Sequence, residues 1–576
     1  MAAPRRPEFQ LDWNQSNLVD GWPTGPDNFF MMHRLSEVSV EVTATATPRR
    51  VLEVAAAEAE HSCKLNLRGM ESVVVEPSAA MLERARARMD EYGAHVALIR
   101  GVAETLPLRA RCFDRVLIDS AIDHLAQPAL GLREMARVLK PDGRLVITFV
   151  NYRSLSVRIS RLLYRAARRT GYVAPEQHLF WDTPVPLEHS FECTLPVLHQ
   201  LCGSYLELDH AFGVSLGWMV PGWGRLLQRL PRRWALTLMR GLDRVADRQP
   251  DIADFVVSVW RPQQPAATAS SQRTGADAAG TGADHFPVRR TDLVYASRAQ
   301  AEAAYWDRIE FGSGFFELLR AGDREVNEAY TGDPERSWIE ELIARGPFGT
   351  AAMLGCDEGG HERFWLERNG SQRLDIYELS PGVIRKVRAG LGRAAAWPQR
   401  RVRFIRTDLN FVHLPERRYD VIWSSGCLHH ITNLEHLFEQ VERALRPGGL
   451  FAFRDYVGER RMQFAPERLA RINALMRDVP VRWRRTESVV PPQFHAISPF
   501  CGVRSDEILG LAAQRFELVH RGQAGALFPL SLAVDLAAVA REAPELWARL
   551  RTAEQNAMRE PSAHPCGVYA VFRARG

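Results

Sequence analysis

Three short stretches in the second half of the chain carry residues suited to bind a nucleoside. The first, "GCDEGG" at positions 355–360, follows an apolar run. Glycine permits backbone angles that a Cβ atom obstructs, and it lets a ligand approach the main chain closely. Glu378 ends the run "LDIYE", and Asp408 follows the run "VRFIR". The first carboxylate could accept both hydroxyls of a ribose, and the second could accept from an adenine amino group.

These stretches need a scaffold that brings the ends of neighbouring strands together. In the first half of the chain, short apolar runs predict strands near 51–54, 72–76, 96–100, 114–119 and 144–150. Helical patterns separate the runs, and the second half repeats the alternation. This order predicts an α/β fold with a mostly parallel sheet and helices on both faces. Such sheets usually bind ligands at the carboxyl ends of their strands.

The two halves are copies of one plan. The first contains "VLEVAAAEA", "CFDRVLIDSAIDHL" and "ALGLREMARVLKPDGRLVITF", and the second contains "AAMLGCDEG", "RYDVIWSSGCLHHI" and "LEHLFEQVERALRPGGLFAF". Matching residues keep a nearly constant separation along the chain, which indicates an internal duplication. Residues 263–290 are rich in Ala, Gly, Ser and Thr and predict a flexible linker. We therefore expect one domain over 1–262 and another over 291–576.

Composition narrows the class of protein. The chain has 576 residues, of which 46% are hydrophobic and 25% charged, as in ordinary globular proteins. Its net charge of +5 comes from 74 basic and 69 acidic residues, so we expect no nucleic-acid partner. The eight cysteines form no CxxC pair, which predicts no metal site and a reducing, cytoplasmic compartment. We find no secretory signal and no long apolar run, so we expect no stable membrane insertion.

The combined set of motifs in the second half resembles a known family. The glycine-rich loop, "LDIYELSPG", "VRFIRTDLNFVHLP", "RYDVIWSSGCLHHI" and "ALRPGGLFAF" occur in the order found in class I S-adenosylmethionine-dependent methyltransferases, particularly the type 11/12 group. The run ending "FRDYVGERRMQF" is similar to a bacterial subgroup of that family. The resemblance implies a Rossmann-like, seven-stranded sheet with a reversed last strand in each half. "DIADFVVSVWRP" and "GVYAVFRARG" fit that last strand.

The resemblance also implies a role for individual residues. The loop from Gly355 through Cys356 and Asp357 to Gly359 would hold the methionine portion of S-adenosylmethionine. Glu378 with Leu379 would bind the ribose, Asp408 with Leu409 the adenine, and Ser424 would flank the methyl group. The family usually has glycine where Asp357 stands.

Two histidines follow the predicted fourth strand of the second half. His429 is a candidate base for a hydroxyl acceptor, because an acceptor of that kind must lose a proton. Alternatively, the pair only braces the loop. His430 matches His124 in the first half, which favours a structural role for His430.

The first half departs from the family at its loop. Ala55, Ala57 and Ala59 stand where the family has glycines, and Val102 replaces the adenine-facing acid, although Glu104 is close by. An alanine forced to positive φ costs about 1–2 kcal/mol. Glu76 remains at the ribose position. We interpret this copy as degenerate; the alternative is a divergent but working site.

The sequence thus predicts an S-adenosylmethionine-dependent methyltransferase. Its C-terminal domain would act on a small molecule, for which the subgroup suggests a sugar or polysaccharide precursor, and would pair internally with a non-catalytic N-terminal domain. A scaffold built from two non-catalytic domains is the first alternative, and a nicotinamide-dependent oxidoreductase is the second. The basic amphipathic stretch 151–172 would either contact an anionic membrane surface or form a solvated helix.

Overall fold

The structure is a computed structural model, in which the chain forms two compact units, Met1–Arg298 and Ala299–Gly576. The residues that it describes are 25–172, 189–203, 205–263, 287–308, 323–356, 360–392, 401–490, 498–560 and 565–575. The predicted linker lies largely outside these residues. Residues 291–298 belong to the first unit. The predicted domain limits at 262 and 291 stay a prediction.

The first unit contains a seven-stranded sheet in the order β3-β2-β1-β4-β5-β7-β6. Its strands are β1 (Arg50–Val54), β2 (Glu71–Glu76), β3 (Val96–Arg100), β4 (Phe113–Asp119), β5 (Leu139–Val150), β6 (Leu206–Val214) and β7 (Phe255–Pro262). Strands β1 to β5 are parallel, and β7 runs antiparallel to both of its neighbours. All five predicted strands are present, and β5 begins earlier than predicted.

Helices flank this sheet. They span Pro26–Ala44, Glu60–Leu67, Ala79–Tyr92, Pro128–Val138, Leu155–Arg169, Leu195–Cys202, Trp223–Gln228 and Arg232–Arg248. A further helix, Leu293–Arg308, contains the division between the two units along the chain. The basic stretch 151–172 contains the helix Leu155–Arg169, on which Leu162 and Leu163 are exposed. Contact of this helix with a membrane surface stays a prediction. Among the helices described, none has the length and apolar character needed to cross a bilayer.

The second unit repeats the same topology, in the order β10-β9-β8-β11-β12-β14-β13. Its strands are β8 (Thr350–Leu354), β9 (Arg373–Glu378), β10 (Val402–Arg406), β11 (Tyr419–Ser425), β12 (Leu445–Tyr456), β13 (Phe516–Ala524) and β14 (Gly567–Ala574). The reversed last strand, β14, falls where the sequence predicts it. The predicted α/β fold with two mostly parallel seven-stranded sheets is therefore confirmed.

Helices also flank the second sheet. They span Asp323–Thr331, Trp338–Ala344, Gly360–Glu367, Pro381–Gly392, Leu434–Ala444, Pro466–Arg477, Ile508–Arg515, Phe528–Ala533, Leu536–Glu542 and Pro544–Arg559. Every residue of β8 is buried, because helices cover both faces of a parallel sheet. Leu354 packs into the core on one face, and Met353 and Trp423 pack into the core on the other.

A partly buried carboxylate on β11, that of Asp420, ties this strand to the start of β8. Asp420 accepts from the main-chain N–H groups of Gly349 and Thr350, both at 2.8 Å, and from Arg446 at 2.6 Å. Partial burial disfavours the charged carboxylate, but these donors outweigh it and lower the pKa of Asp420. In the first unit, Asp114 accepts from the main chain at the start of β1 in the same way.

We predict that Asp420→Asn lowers the free energy of unfolding of the second unit by about 1–2 kcal/mol at neutral pH. Because the pKa of Asp420 is lowered on folding, its stabilisation is present above the unfolded-state pKa and disappears as the pH falls through the folded-state value. Urea unfolding of the full chain at pH 7 and at acid pH measures this difference. Asp506→Asn is the control, since Asp506 forms only an exposed ion pair. Equal effects of the two variants would contradict the prediction.

Candidate functional site

The predicted site residues of the second unit lie at the carboxyl edge of its sheet. Gly355 follows β8, Glu378 ends β9, Asp408 follows β10, and Ser424 lies near the end of β11. These four strands are parallel neighbours, so their ends meet at one edge. The structure therefore brings together the described members of the predicted set. Asp357 and Gly359 lie outside the described residues.

Gly355 occupies a position that requires glycine. Its φ is +73°, in the left-handed region, and its N–H donates to the carbonyl of Tyr377 on β9 at 2.8 Å. A Cβ atom at this position would lie 2.4 Å from the Cys427 Sγ. Both the backbone angle and the neighbouring side chain therefore exclude a larger residue in the unaltered structure.

Glu378 holds the turn that follows β8. One carboxylate oxygen accepts from the main-chain N–H of Cys356 at 2.9 Å, and the other accepts from Ser380 at 2.7 Å. Burial raises the pKa of Glu378 to about 7, although nearby N–H groups, including that of Leu379, oppose the shift. An ionised carboxylate offers about four lone-pair sites. Main-chain N–H groups and the Cys356 side chain together engage Glu378, so the carboxylate fixes the turn from both of its oxygens.

Asp408 and Leu409 begin a short helical turn after β10. The Asp408 carboxylate accepts from the main-chain N–H of Asn410 at 2.9 Å and from its side-chain amide at 3.1 Å. Asp408 is half-buried, and Leu409 belongs to the core beneath it. The acid is thus held at the sheet edge with part of its surface accessible.

Ser424 is fully buried, and its hydroxyl donates to the carbonyl of Leu354 at 2.9 Å. This bond ties β11 to the last residue of β8. The hydroxyl therefore supports the turn that begins at Gly355, and its predicted place beside a methyl group stays a prediction.

His429 is paired with a carboxylate that the sequence analysis did not identify. Asp455, at the end of β12, lies 2.6 Å from His429 Nδ1 and also accepts from the main-chain N–H groups of Cys427 and Leu428. Burial disfavours a charged imidazole, but Asp455 outweighs it and raises the pKa of His429 to about 10. The signal available in the sequence was the acid at the end of the apolar run "LFAFRDY".

His430 is held by a second buried carboxylate. Its Nδ1 lies 2.9 Å from Glu302 Oε1 and 3.1 Å from the hydroxyl of Ser498. Burial and the neighbouring His429 lower the pKa of His430. The structural role predicted for His430 stays a prediction.

Comparison with known proteins identifies the family of both units. Models of a methyltransferase domain match residues 52–147 and, separately, residues 353–451. Each match begins in the first strand of one sheet and ends in the fifth. The chain carries two methyltransferase domains in tandem. The predicted family, the class I S-adenosylmethionine-dependent methyltransferases, is thereby confirmed.

The relatives found by sequence align over only part of their length. The chain is 40% identical over 100 residues to an uncharacterized methyltransferase of Mycobacterium tuberculosis, covering 17% of this chain and 39% of that protein. It is 34% identical over 122 residues to the ubiquinone/menaquinone biosynthesis C-methyltransferase of Pseudomonas syringae pv. syringae, covering 20% and 48%. Phosphoethanolamine N-methyltransferase 2 of Haemonchus contortus, solved with S-adenosyl-L-methionine, aligns with 94% of this chain and 99% of its own at 13% identity and a TM-score of 0.30. The chain thus spans less than half the length of these two sequence relatives.

The N-terminal methyltransferase domain keeps the shape of the turn without its glycines. Ala55, Ala57 and Ala59 all have positive φ, at 53°, 46° and 58°. The N–H of Ala55 donates to the carbonyl of the residue before Glu76 at 2.8 Å, as Gly355 does in the C-terminal domain. Glu76 accepts from Ala57 at 3.0 Å and from the main chain two residues beyond itself at 2.9 Å. Glu76 therefore has a structural task that explains its presence in a loop without glycine.

A compensating residue makes room for the alanine. The position that matches Cys427 is Ala121, and Ala55 packs against the core cluster that contains it. The sulfur that would meet a Cβ at Gly355 is absent from the N-terminal domain. The two domains therefore fill the same space with different pairs, Gly355 with Cys427 and Ala55 with Ala121.

Glu104 does not replace the missing adenine-facing acid. Its carboxylate is nearly buried and accepts from the main-chain N–H of Gln127 at 3.1 Å. Asn410 makes the equivalent bond to Asn433 in the C-terminal domain, at 2.9 Å. Glu104 therefore corresponds to Asn410, and Val102 occupies the position of the acid.

A buried polar network underlies the alanine loop. Glu53 on β1 accepts from the main chain and hydroxyl of Ser62 at 2.9 and 2.5 Å and lies 3.0 Å from His61 Nδ1. Burial opposes a charged imidazole, but Asp119 and Glu53 outweigh it and raise the pKa of His61 to about 9. The C-terminal domain has the apolar Met353 at the position of Glu53. The sequence analysis did not identify this network, because its members are spread over three elements.

We predict that Gly355→Ala lowers the free energy of unfolding of the C-terminal domain by more than the roughly 1–2 kcal/mol expected from the backbone angle alone. Adding Cys427→Ala removes the sulfur that the new Cβ meets. The double variant should therefore retain only the destabilisation expected from the backbone angle. Urea unfolding of the full chain measures both variants. Gly390→Ala is the control, since a Cβ there has nothing within 4 Å. If the single and double variants are equally destabilised, crowding by Cys427 is not the cause.

Proposed function

We propose that the C-terminal methyltransferase domain binds S-adenosylmethionine and transfers its methyl group to a small-molecule acceptor. The observation that carries the proposal is the pairing of Gly355 and Glu378 at the carboxyl edge of the sheet. A turn that requires glycine lies against a buried carboxylate that accepts hydrogen bonds from the main chain of that turn. Those are the features needed to accept ribose hydroxyls against an exposed main chain.

Each binding role falls to a residue whose position supports it. The turn from Gly355 through Cys356 would take the methionine portion, Glu378 the ribose, and Asp408 with Leu409 the adenine. S-adenosylmethionine would supply a methyl group activated by a sulfonium. The acceptor atom forms a bond to the methyl carbon as the carbon–sulfur bond breaks, and the electron pair of that bond remains on sulfur.

Alignment is the main contribution expected from the protein. The positive charge of the sulfonium disappears during transfer, so no strong acid is required. Holding the reacting atoms about 3–3.5 Å apart can supply several kcal/mol of the barrier reduction. His429 as a base stays a prediction, and its Nδ1 is engaged by Asp455. The identity of the acceptor as a sugar or polysaccharide precursor also stays a prediction.

We propose that the N-terminal methyltransferase domain does not catalyse transfer. Ala55, Ala57 and Ala59 stand where the family has the glycines of its cofactor loop, and Val102 offers no acceptor for an adenine amino group. Glu76 is retained because it holds the loop. Pairing of the two domains and a cytoplasmic location remain predictions.

Calorimetry of S-adenosylmethionine with the full chain and two matched variants tests this division of roles. We predict one binding site in the unaltered protein and in Glu76→Ala, and at least about tenfold weaker binding in Glu378→Ala, because hydrogen bonds to a charged group contribute about 1.5–3 kcal/mol. Circular dichroism checks that both variants fold. Loss of binding in Glu76→Ala alone would assign the cofactor to the N-terminal domain. Absence of binding in every protein would favour the non-catalytic scaffold.

We also predict that the affinity for S-adenosylmethionine weakens below pH 7. The pKa of Glu378 is raised to about 7, so a lower pH protonates the carboxylate and removes acceptor capacity. If only the ionised form binds, the dissociation constant should rise toward about tenfold per pH unit below that value. The ligand's own amino group titrates near this range, so Glu378→Gln measured at the same pH values isolates the protein's contribution. The same pH dependence in Glu378→Gln would contradict the assignment.

A further inference from the structure

Three potential metal ligands converge beside the proposed transfer site. One ring nitrogen each from His429 and His430 and the Cys501 Sγ all lie within 4.8 Å of one another. The two histidines belong to the short helical turn Leu428–His430, whereas the cysteine comes from a segment far along the chain. Each histidine side chain is 11% exposed, and Cys501 is 8% exposed. The tertiary structure alone assembles this cluster.

Each histidine is oriented through the same ring atom by its own buried carboxylate. Asp455 lies 2.6 Å from His429 Nδ1, and Glu302 lies 2.9 Å from His430 Nδ1. The ring centroids of the two histidines are 4.1 Å apart. Because both Nδ1 atoms are engaged by carboxylates, each ring would ligate through Nε2, and His429 makes a hydrogen bond with the Cys501 side chain. Carboxylates placed in this way behind histidines are typical of metal sites, where they orient the rings and increase their basicity.

The carboxylates are themselves fixed by the main chain on both sides of the cluster. Asp455 accepts from the N–H groups of Cys427 and Leu428, at 3.0 and 2.8 Å, at the start of the histidine turn. Glu302 accepts from the N–H of Phe500 at 3.0 Å, next to Cys501. The histidine turn and the cysteine segment are thereby held in place before any ion binds, which reduces the ordering needed for binding.

We propose that His429, His430 and Cys501 form a site for a divalent transition metal. A set of two imidazoles and one thiolate favours Zn²⁺, and three protein ligands leave a fourth position open for water or substrate. On binding, the thiol of Cys501 and the imidazolium of His429 each release one proton to solvent, so that the metal meets a thiolate and two neutral imidazoles. Two buried carboxylates behind the cluster favour a divalent cation in front of them, because a buried charge needs a partner.

The position of the cluster suggests what the metal would do there, and this role rests on the proposed function. Cys427, the residue before the histidine turn, is the one whose sulfur would meet a Cβ at Gly355. The cluster therefore lies next to the turn assigned to the methyl donor. A hydroxyl acceptor in the open fourth position would lose its proton more readily, as metal-bound water does. His429 would then serve as a ligand in place of a base.

Metal analysis of the full chain tests the site directly. The protein is stripped with a chelator, reloaded with Zn²⁺ and assayed for bound zinc, and a second sample is loaded with Co²⁺ for absorption spectroscopy. We expect Cys501→Ser and His430→Gln each to lose one equivalent of zinc relative to the unaltered protein. Cys501→Ser should also lose the thiolate-to-cobalt charge-transfer band. Cys202→Ser, which replaces a buried cysteine of the other unit, should retain both signals.

Comparison between variants is necessary because the N-terminal domain brings Asp123, His124 and His189 together at the matching turn. A metal bound at that second cluster would be present in every sample, so the zinc content of the variants would still be one equivalent below that of the unaltered protein. If the variants fail to fold, alkylation of Cys501 in the unaltered protein, located by mass spectrometry, replaces them, and bound zinc should slow that reaction. Zinc content and Cys501 reactivity that do not respond to these changes overturn the proposal.

Calorimetry of S-adenosylmethionine on the same samples separates this proposal from the proposed function. Zinc bound without S-adenosylmethionine binding would support the metal site and reject the methyl-transfer role. S-adenosylmethionine binding in a protein that takes up no zinc at this cluster would support the proposed function and reject the metal site.

Discussion

A buried carboxylate that holds the turn after the first strand is the interaction on which both sites depend. In each domain this turn must double back against the neighbouring strand, which leaves main-chain N–H groups pointing inward. In Glu378 and in Glu76, one carboxylate oxygen accepts from this turn, and the other accepts from the main chain two residues beyond the glutamate itself. Because buried N–H groups without acceptors are costly, the carboxylate is needed whether or not a ligand binds.

The two domains differ in the residue that begins this turn and in the side chain packed beside it. The C-terminal domain has Gly355 at positive φ beside Cys427, and the N-terminal domain has Ala55 at positive φ beside Ala121. The first residue of the turn has positive φ in both domains, and the Ala55 methyl group takes the space that the Cys427 sulfur fills in the C-terminal domain. Beneath that loop, Glu53 adds a buried polar network at a position where the C-terminal domain is apolar. The two domains therefore keep one topology while the side chains around this turn have diverged.

Much of the fold could be predicted because a covered parallel sheet demands continuous apolar strands. The runs ending at Val54 and Glu378 were recognisable for that reason, and so was the reversed strand at Gly567–Ala574. The His429 environment could not be predicted. Asp455, Glu302 and Cys501 are distant from one another along the chain, and no local pattern links them to the histidines. The absence of a CxxC pair carries no information about a cluster assembled from separate segments.

The sequence by itself determined the duplication and the α/β alternation, and the order of its motifs indicated the family, which implied the two seven-stranded sheets. Apolar periodicity and the order of motifs are local properties of the chain. It also predicted that Gly355, Glu378 and Asp408 lie at one edge of the sheet, since parallel strands carry their carboxyl ends to one edge. Only the tertiary structure decided what Glu76 does, which residue takes the place of Asn410, and which groups surround His429. Those answers depend on contacts between segments far apart in sequence, and the packing of the folded chain alone brings such segments together.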